Sequence, residues 1–465
     1  MNIYDVALVN GKIITLKGNR TAHLASPLTG HVDRRTYHGD ASDVEAAVTA
    51  ARGAYDHWLQ IDSVGRRKVI EALAQAIEDR AEELAIAINA EVGTPLKIAR
   101  AVQAGLPVNV LRGFAHDLDA ALADQTIAYS TVQYRPLGVV AAITPWNYPL
   151  HQSMAKIGAA LAAGCTLVLK PSDLTPRTNA LMIEILAETT PAGIVNVVPG
   201  DAATGAELVA HKGIDAVSFT GSVEGGRTVA QASAKALKPY FLELGGKSAG
   251  ILLNDADPAV ALKSMVNSGL LNSGQTCTAL TRILVPNAML DDAAAQIGVL
   301  ADMMTSRLGP VISQAQYDRV QGFIARAQND DGVTLVTGGL GHPDGQDEGY
   351  YVRPTVFVCN DAKVEIAQEE VFGPVLVVLG YKDDDDLIAL TNCTDYGLAA
   401  AVWGNDTTRV EAIIRRLRAG QIDINGAPFN PRAPFGGFNR SGSCREMGLH
   451  GIREFQLPVS IQKVE

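Results

Sequence analysis

The sequence predicts an α/β fold built around parallel sheets, and two observations support this prediction. From residue 138 to residue 243, short runs rich in β-branched residues alternate with stretches of helical pattern. A second unit of the same kind follows residue 250. Strands separated by helices form a parallel sheet wound by right-handed crossovers. At 465 residues the chain is also too long for one compact core, so we expect two or three domains.

The two units can be assigned element by element. In the first, strands are predicted at 138–143, 165–170, 194–198, 214–219 and 239–243, and helices at about 151–163, 177–188, 202–211 and 223–236. In the second, strands are predicted near 282–286, 354–358, 374–380, 398–403 and 421–424, and helices near 257–270, 290–306, 313–328, 384–392 and 407–418.

Polar residues cluster where the predicted strands of the first unit end. Asn147, Lys170, Ser222 and Glu243 all lie at or just past such an end. Ligands of open parallel sheets bind at the carboxyl ends of the strands. We therefore expect the functional site at this edge of the sheet.

The first 120 residues are expected to wrap the core and to carry no chemistry. The pattern predicts a short hairpin over 6–14 and an irregular segment to about residue 40. The predicted helices run from a capping box at Ser42–Glu45 to about Trp58, over 63–90 with a stop at Gly93, and on to about residue 118.

A polar, alternating strand is predicted at 126–134, and it has no obvious core face in a monomer. The closing stretch 457–462 also has strand-like composition. Because an exposed strand edge is a template for pairing with another chain, we expect both segments to pair across subunits. The sequence therefore predicts a homo-oligomer.

Composition excludes some classes of partner. The formal net charge is −11, which argues against nucleic acid and anionic membranes as partners. The start of the chain lacks a basic signal region, and no apolar run is long enough to span a bilayer. The five cysteines form no CxxC pair and no zinc-type cluster, so we expect a cytoplasmic protein without a metal.

Four consecutive aspartates, residues 383–386, raise the question of a metal site. They precede the apolar run 387–390, and negative charges in that place suit the N-terminus of a helix and its dipole. We interpret them as the start of a helix.

Cys277 is the candidate nucleophile. It lies between Thr276 and Thr278, just after a small polar turn, whereas inert core cysteines usually lie in apolar runs. Glu243 ends a predicted strand and opens into two glycines, which would aim its carboxylate into a cleft. A thiol nucleophile and a carboxylate base suffice to form and hydrolyse a thioester. Taken alone, Cys277 could equally be a structural thiol.

Seven motifs, taken together, identify a family. They are TPWNYP at 144–149, KPSD at 170–173, FTGS at 219–222, LELGGK at 242–247, GQTC at 274–277, EVFGP at 370–374 and PFGG at 434–437. In order and spacing they resemble the NAD(P)-dependent aldehyde dehydrogenase superfamily. The resemblance implies a Rossmann-type NAD(P)-binding domain (1–120 and 138–243), an α/β catalytic domain (244–440) and a small β oligomerisation element (121–137 and 441–465) in a homodimer or homotetramer.

The resemblance also implies the reaction, which is oxidation of an aldehyde to a carboxylic acid through a thiohemiacetal and a thioester on Cys277. Asn147 and the backbone N–H of Cys277 would stabilise the oxyanion as neutral donors. Glu243 would activate the water that hydrolyses the thioester, and burial in a cleft would raise its pKa to suit that task. The alternative is a CoA-acylating dehydrogenase, in which CoA replaces water as the acyl acceptor. The presence of Glu243 argues against that alternative.

The cofactor is expected to be NAD, with NADP possible. Glycines after strand 214–219 open a helix whose N-terminus suits a pyrophosphate, although a tight strand–helix turn explains them equally well. The resemblance places Glu370 on the nicotinamide ribose and Lys170 on the adenosine ribose. Asp173 would favour a 2′-hydroxyl over a 2′-phosphate, although Lys170 pulls the other way. The full predicted cofactor set is Thr144, Trp146, Lys170, Ser172, Asp173, Gly221, Ser222, Gly226, Leu244, Glu370 and Phe372.

By the same resemblance, an aldehyde tunnel is implied beside Cys277. Ala155 stands where a large aromatic residue is common, which suggests extra room. Arg432 could meet a substrate carboxylate or could be a solvated loop arginine. The residues implied to line the tunnel are Tyr148, Gln152, Thr276, Thr278, Phe429 and Phe435.

Overall fold

The computed structural model describes residues 1–463, and its strands and helices within that range are as follows. The strands are β1 (Asn2–Tyr4), β2 (Val6–Val9), β3 (Lys12–Thr15), β4 (Thr21–Ala25), β5 (Val32–Tyr37), β6 (Gln125–Ile127), β7 (Ser130–Pro136), β8 (Val139–Ile143), β9 (Thr166–Lys170), β10 (Val195–Val197), β11 (Ala216–Thr220), β12 (Tyr240–Glu243), β13 (Ala249–Leu252), β14 (Arg282–Pro286), β15 (Val333–Thr337), β16 (Thr355–Cys359), β17 (Val375–Tyr381), β18 (Ala399–Trp403), β19 (Gln421–Ile424) and β20 (Gln456–Gln462).

The α-helices are α1 (Ala41–Leu59), α2 (Ser63–Asp79), α3 (Ala81–Val92), α4 (Leu96–Ile98), α5 (Gly105–Leu122), α6 (Pro149–Ala163), α7 (Pro176–Thr189), α8 (Ala202–Ala210), α9 (Val223–Lys235), α10 (Pro258–Gly269), α11 (Leu290–Met304), α12 (Gln314–Gln328), α13 (Glu365–Gln368), α14 (Asp384–Thr391), α15 (Thr407–Ile414) and α16 (Gly448–Glu454).

The first large sheet confirms the predicted α/β class. Its strand order is β12-β11-β8-β9-β10-β2-β3, and β8 to β12 run parallel. All five strands predicted for this unit occur within two residues of their expected bounds. The predicted N-terminal hairpin is also confirmed, as β2 and β3 pair antiparallel and extend the same sheet.

The core of this unit explains its apolar strands. Every residue of β8 and β9 is buried, because helices cover both faces of the sheet. Helix α6 is buried along its whole length, since α5 packs on its outer side. The loops at the carboxyl ends of the strands are therefore held on a rigid layer.

The second large sheet has the order β15-β16-β17-β14-β13-β18-β19 and is parallel except for β15. The five strands predicted here are present, but the sequence analysis missed β13 and β15. Strand β13 contains a glycine and is short, so its strand character comes from pairing with β14 and β18 on either side. Strand β15 (Val333–Thr337) lies at the edge of the sheet and has no buried residue.

The expectation of an irregular segment before residue 40 is wrong. There β4 and β5 pair antiparallel, and β1 joins β5 in parallel to form a three-stranded sheet. Strand β5 reads Val-Asp-Arg-Arg-Thr-Tyr, and its polar composition hides the strand until its partners are known.

The helical boundaries before residue 120 also need correction. The capping box of α1 consists of Asp40 and Asp43 rather than Ser42 and Glu45, so the helix begins earlier. The predicted helix 63–90 is interrupted at Arg80 and forms α2 and α3. Gly93 ends α3 with a φ of 82°, as its position predicted.

The polar strand and the closing stretch pair with each other within one chain. Strand β7 runs antiparallel to β20 from Pro136 opposite Gln456 to Ser130 opposite Gln462, and β6 completes a three-stranded sheet. For β7, the expectation of a partner in another subunit is therefore wrong, because β6 and β20 of the same chain occupy both of its edges. Residues 464–465, which belong to the predicted oligomerisation element, lie outside the described residues.

Asp383 caps α14, and its side chain accepts a hydrogen bond from the backbone N–H of Asp386. The interpretation of the four aspartates as a helix start is confirmed. Across residues 1–463, no group of three or more His, Cys, Asp or Glu side chains has an arrangement suited to a metal. Over the same range, no helix has the length and hydropathy needed to cross a bilayer.

Candidate active site

A cleft of about 460 Å³ opens between the two large sheets, at the carboxyl ends of β8, β11 and β12. Both sheet units contribute to its walls, as the strand-end argument predicted. The predicted residues that line it are Trp146, Asn147, Gln152, Gly221, Ser222, Leu244, Cys277, Glu370 and Phe372.

The turn before Cys277 is held in an unusual conformation. Asn272, Ser273 and Gly274 all have positive φ values, between 52° and 74°. A Cβ at Gly274 would overlap the backbone carbonyl of Gly373, so only glycine fits there. The Asn272 amide donates to the Asn147 carbonyl at 3.1 Å and thereby ties this turn to the loop after β8.

Asn147 is buried beside Cys277. Its side-chain amide donates to the carbonyl oxygen of Gln275 at 3.0 Å, two residues before the thiol. Gln103 holds the backbone of Asn147 by a hydrogen bond of 2.8 Å. The side chain thus presents a neutral N–H donor at the wall of the cleft.

The Cys277 thiol faces the cleft and is partly exposed. Burial among its neighbours raises its pKa well above the ordinary value, and the negative charges of Glu243 and Glu370 raise it further. The thiol is therefore protonated at neutral pH and must lose its proton before it can attack.

Glu243 is fully buried at the end of β12. Neither oxygen of its carboxyl group has a hydrogen-bond partner within the described chain. Burial raises the pKa of Glu243 well above its usual value, and the charge of Glu446 adds to this effect. An unpartnered buried carboxyl group is costly and is characteristic of functional positions.

A buried ion pair behind Glu243 was not predicted from the sequence. Lys156 Nζ lies 2.6 Å from Glu446 Oε1 and 2.9 Å from Ser218 Oγ. The only signal in the sequence was a lysine in the largely apolar stretch of α6. Nearby, the Cys444 thiol donates to the Leu242 carbonyl at 3.1 Å.

Glu370 and Phe372 both line the cleft. Glu370 Oε1 accepts a hydrogen bond of 3.0 Å from the backbone N–H of Gly246, and burial raises the pKa of Glu370 to about 7. A Cβ at Gly245 would overlap this carboxylate. Phe372 packs edge-on against Trp146, with ring centroids 5.5 Å apart.

The glycine turn after β11 opens α9 as predicted. Ser222 is the N-cap and accepts a hydrogen bond of 3.1 Å from Gly225 N. Gly226 lies against Leu244, and a Cβ there would come within 2.7 Å of the Leu244 side chain. This packing holds the helix N-terminus at the edge of the cleft.

Lys170, Ser172 and Asp173 form a separate polar group after β9. The buried Lys170 Nζ donates to the Gly200 carbonyl at 2.8 Å, and burial lowers the pKa of this lysine. Asp173 Oδ2 lies 3.3 Å from His38 Nε2. Ser172 Oγ instead accepts a hydrogen bond of 3.3 Å from Leu174 N in its own loop.

Thr144 differs from the other predicted cofactor residues. Its buried hydroxyl lies 3.2 Å from Ser153 Oγ inside α6, so its side chain is engaged in the core. Its backbone N–H donates to the Lys170 carbonyl and continues the β8–β9 pairing.

The predicted substrate residues form two contacts beside the nucleophile. Tyr148 Oη lies 2.8 Å from Thr276 Oγ1, and the Phe429 and Phe435 rings meet at 6.0 Å in a T-shaped pair. Gln152 lines the cleft with an unpartnered side-chain oxygen. Thr278 follows Cys277 in the same turn and is partly buried.

Arg432 and Ala155 have neighbours that the sequence did not indicate. The Arg432 guanidinium forms two hydrogen bonds to Asp117, of 2.6 and 3.2 Å. Ala155 lines a small closed cavity of about 10 Å³ together with Lys156 and Phe241. The room beside Ala155 is therefore largely filled.

Further cleft residues were missed by the sequence analysis, among them Gln316, Arg319, Tyr396 and Arg440. Arg319 donates to the backbone carbonyl of Glu370 at 2.7 Å, and Gln316 donates to that of Phe372 at 2.8 Å. The Arg440 guanidinium stacks over the Tyr396 ring at 4.8 Å. None of these four lies in a recognisable motif. The packing of α12 against the 370–372 loop brings Gln316 and Arg319 to the wall, and other segments bring Tyr396 and Arg440.

Comparison with known proteins gives consistent matches over nearly the whole chain. The model of the aldehyde dehydrogenase family matches residues 14–461. A 3-succinoylsemialdehyde-pyridine dehydrogenase of Pseudomonas sp. is 39% identical over 471 aligned positions, which cover 98% of each chain. Geranial dehydrogenase of Castellaniella defragrans is 37% identical, with 97% of each chain covered.

Solved structures agree with these relatives. A mutant of aldehyde dehydrogenase C from Pseudomonas syringae, complexed with NAD⁺ and octanal, superimposes with a TM-score of 0.96 at 38% identity, covering 99% of this chain and 96% of that one. An aldehyde dehydrogenase of Mycobacterium tuberculosis complexed with NAD⁺ gives a TM-score of 0.94 at 38% identity, covering 100% and 99%.

Proposed function

Because this chain belongs to the aldehyde dehydrogenase family, we propose that Cys277, Asn147 and Glu243 together carry out the oxidation of an aldehyde to a carboxylic acid. The observation that carries this proposal is a cleft-lining thiol together with a fully buried carboxyl group, at the end of β12, that has no hydrogen-bond partner in the described chain. A nucleophile and a base are the requirements for acyl transfer through a thioester.

The first step needs a base, because the pKa of the Cys277 thiol is raised. The thiol proton leaves to water in the cleft as the sulfur bonds to the aldehyde carbon, which leaves the Glu243 carboxylate free to act in the later hydrolysis. The carbonyl oxygen gains negative charge, and the Asn147 amide donates to it in place of the Gln275 carbonyl. A neutral donor leaves the oxyanion electron-rich, which favours departure of hydride from the same carbon.

The cleft fits a nicotinamide dinucleotide. The missing Cβ at Gly245 leaves space for the Glu370 carboxylate, and the buried hydroxyl of Thr220 has no partner in the described chain. Glu370 and Phe372 would hold the nicotinamide half. The turn at Gly221 and Ser222 would hold the phosphates. Lys170 and Asp173 would hold the adenosine ribose, and Asp173 favours NAD⁺ over NADP⁺. The bound cofactor supplies the hydride acceptor.

Hydrolysis of the thioester completes the reaction. Glu243 removes a proton from water, the hydroxide oxygen bonds to the acyl carbon, and the carbon–sulfur bond breaks to release the acid and Cys277. Burial raises the pKa of Glu243 and so makes its carboxylate a stronger base toward water than an exposed one. In the CoA-acylating alternative, the acyl group would pass to a thiol and Glu243 would have no water to activate.

The substrate is proposed to be a largely apolar aldehyde. The aromatic pair of Phe429 and Phe435 offers an apolar wall, and Phe429 is 38% exposed. Arg432 is already bonded to Asp117, so it is not available to a substrate carboxylate. One relative named for geranial and one structure containing octanal support this class.

The test is a panel of aldehydes assayed by formation of reduced cofactor, with and without CoA. We expect medium-chain and terpenoid aldehydes to give higher kcat/KM than ω-carboxylated semialdehydes, with free acid as the product in both arms. Dependence of turnover on CoA would contradict the hydrolytic mechanism. A preference for semialdehydes would contradict the proposed substrate class alone.

We further propose a cytoplasmic homodimer or homotetramer. The β6–β7–β20 sheet has two free edges, and Ile127 and Leu457 on its edge strands are 60% and 55% exposed. Such apolar side chains on open edges suit burial against another subunit. A monomeric mass in light scattering at micromolar concentration would overturn this assignment.

A further inference from the structure

His38 lies between two carboxylates at the adenosine end of the proposed cofactor site. It directly follows β5 and is only 6% exposed. Its Nε2 atom lies 3.3 Å from Asp173 Oδ2, and its Nδ1 atom lies 3.2 Å from Asp201 Oδ2. Within residues 1–463 the imidazole has no other polar partner.

The two carboxylates differ in which cations neutralise their charge. Asp201 caps α8 and receives two hydrogen bonds from Arg20, of 3.0 and 3.1 Å. Although burial opposes it, this pairing holds the pKa of Asp201 well below its ordinary value. Asp201 is therefore neutralised by its own arginine and does not need His38.

Asp173 has no such arginine among its described contacts. Besides His38, the cation near it is Lys170, whose Nζ is bonded to the Gly200 carbonyl. The carboxylates at the start of α1 face away, since Asp40 and Asp43 bond to each other's backbone N–H groups. The net charge that Asp173 presents thus depends mainly on whether His38 carries a proton.

We propose that His38 is a specificity-determining positioning residue, whose protonation sets how strongly Asp173 rejects the 2′-phosphate of NADP⁺. This inference rests on the proposed role of Lys170 and Asp173 at the adenosine ribose. When His38 is charged, it offsets Asp173, and Lys170 leaves a net positive site that tolerates a phosphate. When His38 is neutral, Asp173 is left to repel the phosphate.

Histidine ordinarily changes charge within about pH 5–8, and the contacts of His38 shift that range upward. Contact with Asp173 raises the pKa of His38 above its ordinary value, although burial opposes the rise. The imidazole therefore keeps its proton to a higher pH than an unperturbed histidine does. Selection against NADP⁺ is accordingly weakest at the acid end of this range and strengthens as pH rises.

The test measures equilibrium Kd values for NADP⁺ and NAD⁺ from about pH 6.5 to about pH 9. In the wild type, the ratio Kd(NADP⁺)/Kd(NAD⁺) rises by about tenfold over this range. In His38→Gln the ratio is high and flat, and in Asp173→Asn it is low and flat. His57→Gln, at an exposed histidine of α1, is the control and follows the wild type.

The 2′-phosphate of NADP⁺ titrates in the same way whichever variant is measured. The test therefore compares the pH dependence of the Kd ratio between variants. A wild-type ratio that does not change with pH, or a His38→Gln ratio that still rises, overturns the inference. Should neither dinucleotide bind the wild type, the proposed cofactor site fails instead.

A second measurement uses the wild-type protein and needs no variant at His38. By linkage, NADP⁺ must raise the pKa of His38, seen in an NMR titration of the imidazole, more than NAD⁺ does. Equal shifts with the two cofactors contradict the proposal even if His38→Gln fails to fold.

Discussion

Lys156 Nζ lies 2.6 Å from Glu446 Oε1, and this buried ion pair adjoins the carboxyl group of Glu243. The negative charge of Glu446 raises the pKa of Glu243, whereas Lys156 lowers it. The pair therefore tunes the base that the reaction depends on.

Glu446→Gln should lower the pKa of Glu243, because it removes a negative charge and leaves the positive charge of Lys156 unbalanced. The acid limb of the pH profile of kcat, where Glu243 must lose its proton, should move to lower pH. Breaking a buried pair should also cost about 3–5 kcal/mol of stability. Thermal unfolding and a pH–rate profile measure the two effects. The exposed Glu411→Gln on α15 should show neither, and a shift of the Glu446→Gln profile to higher pH would contradict this account.

Cys277→Ser should lower turnover by more than about tenfold, whereas the affinity for NAD⁺ should be retained. A hydroxyl is a far weaker nucleophile than a thiol that can ionise, whereas the walls of the cleft are unchanged. Steady-state rates measure the loss of turnover, and equilibrium binding measures the affinity for NAD⁺. Cys393→Ser, at an exposed free cysteine, should retain activity, and near-normal turnover of Cys277→Ser would exclude the thioester.

Glu243→Gln should slow hydrolysis of the thioester by about 10²–10⁴-fold, because the amide cannot accept a proton from water. If formation of the thioester is slowed less, a burst of reduced cofactor should precede a slow steady state. Stopped-flow absorbance measures the amplitude of the burst. Loss of the burst together with turnover would show that the first step also requires Glu243.

Gly245→Ala should weaken NAD⁺ binding by about 5- to 150-fold, since its Cβ would overlap the Glu370 carboxylate and overpacking costs about 1–3 kcal/mol. Calorimetric titration with NAD⁺ gives the change. Gly53→Ala is the matched control, because the added Cβ meets open space on α1 and should slightly stabilise the helix. Equal NAD⁺ affinity in the two variants would show that Glu370 does not hold the cofactor.

Local sequence predicted most of the two large sheets. Their strands are apolar runs flanked by helices, so the residues of each segment carry the pattern that predicts it. The strand-end position of Glu243 and the polar turn before Cys277 likewise follow from a few neighbouring residues. The prediction failed at β4 and β5, whose polar sequences become strands only when their partners are adjacent.

The amino-acid sequence by itself determined the alternation of strands and helices, the edge where ligands bind and the nucleophile in its motif. Only the tertiary structure decided which charges meet there. Lys156 and Glu446 are 290 positions apart, and Asp117 and Arg432 are 315 apart. His38 likewise meets Asp173 and Asp201 from a distant strand. Such pairs leave no local pattern, because the energy that joins two charges depends on their distance and burial in the folded chain.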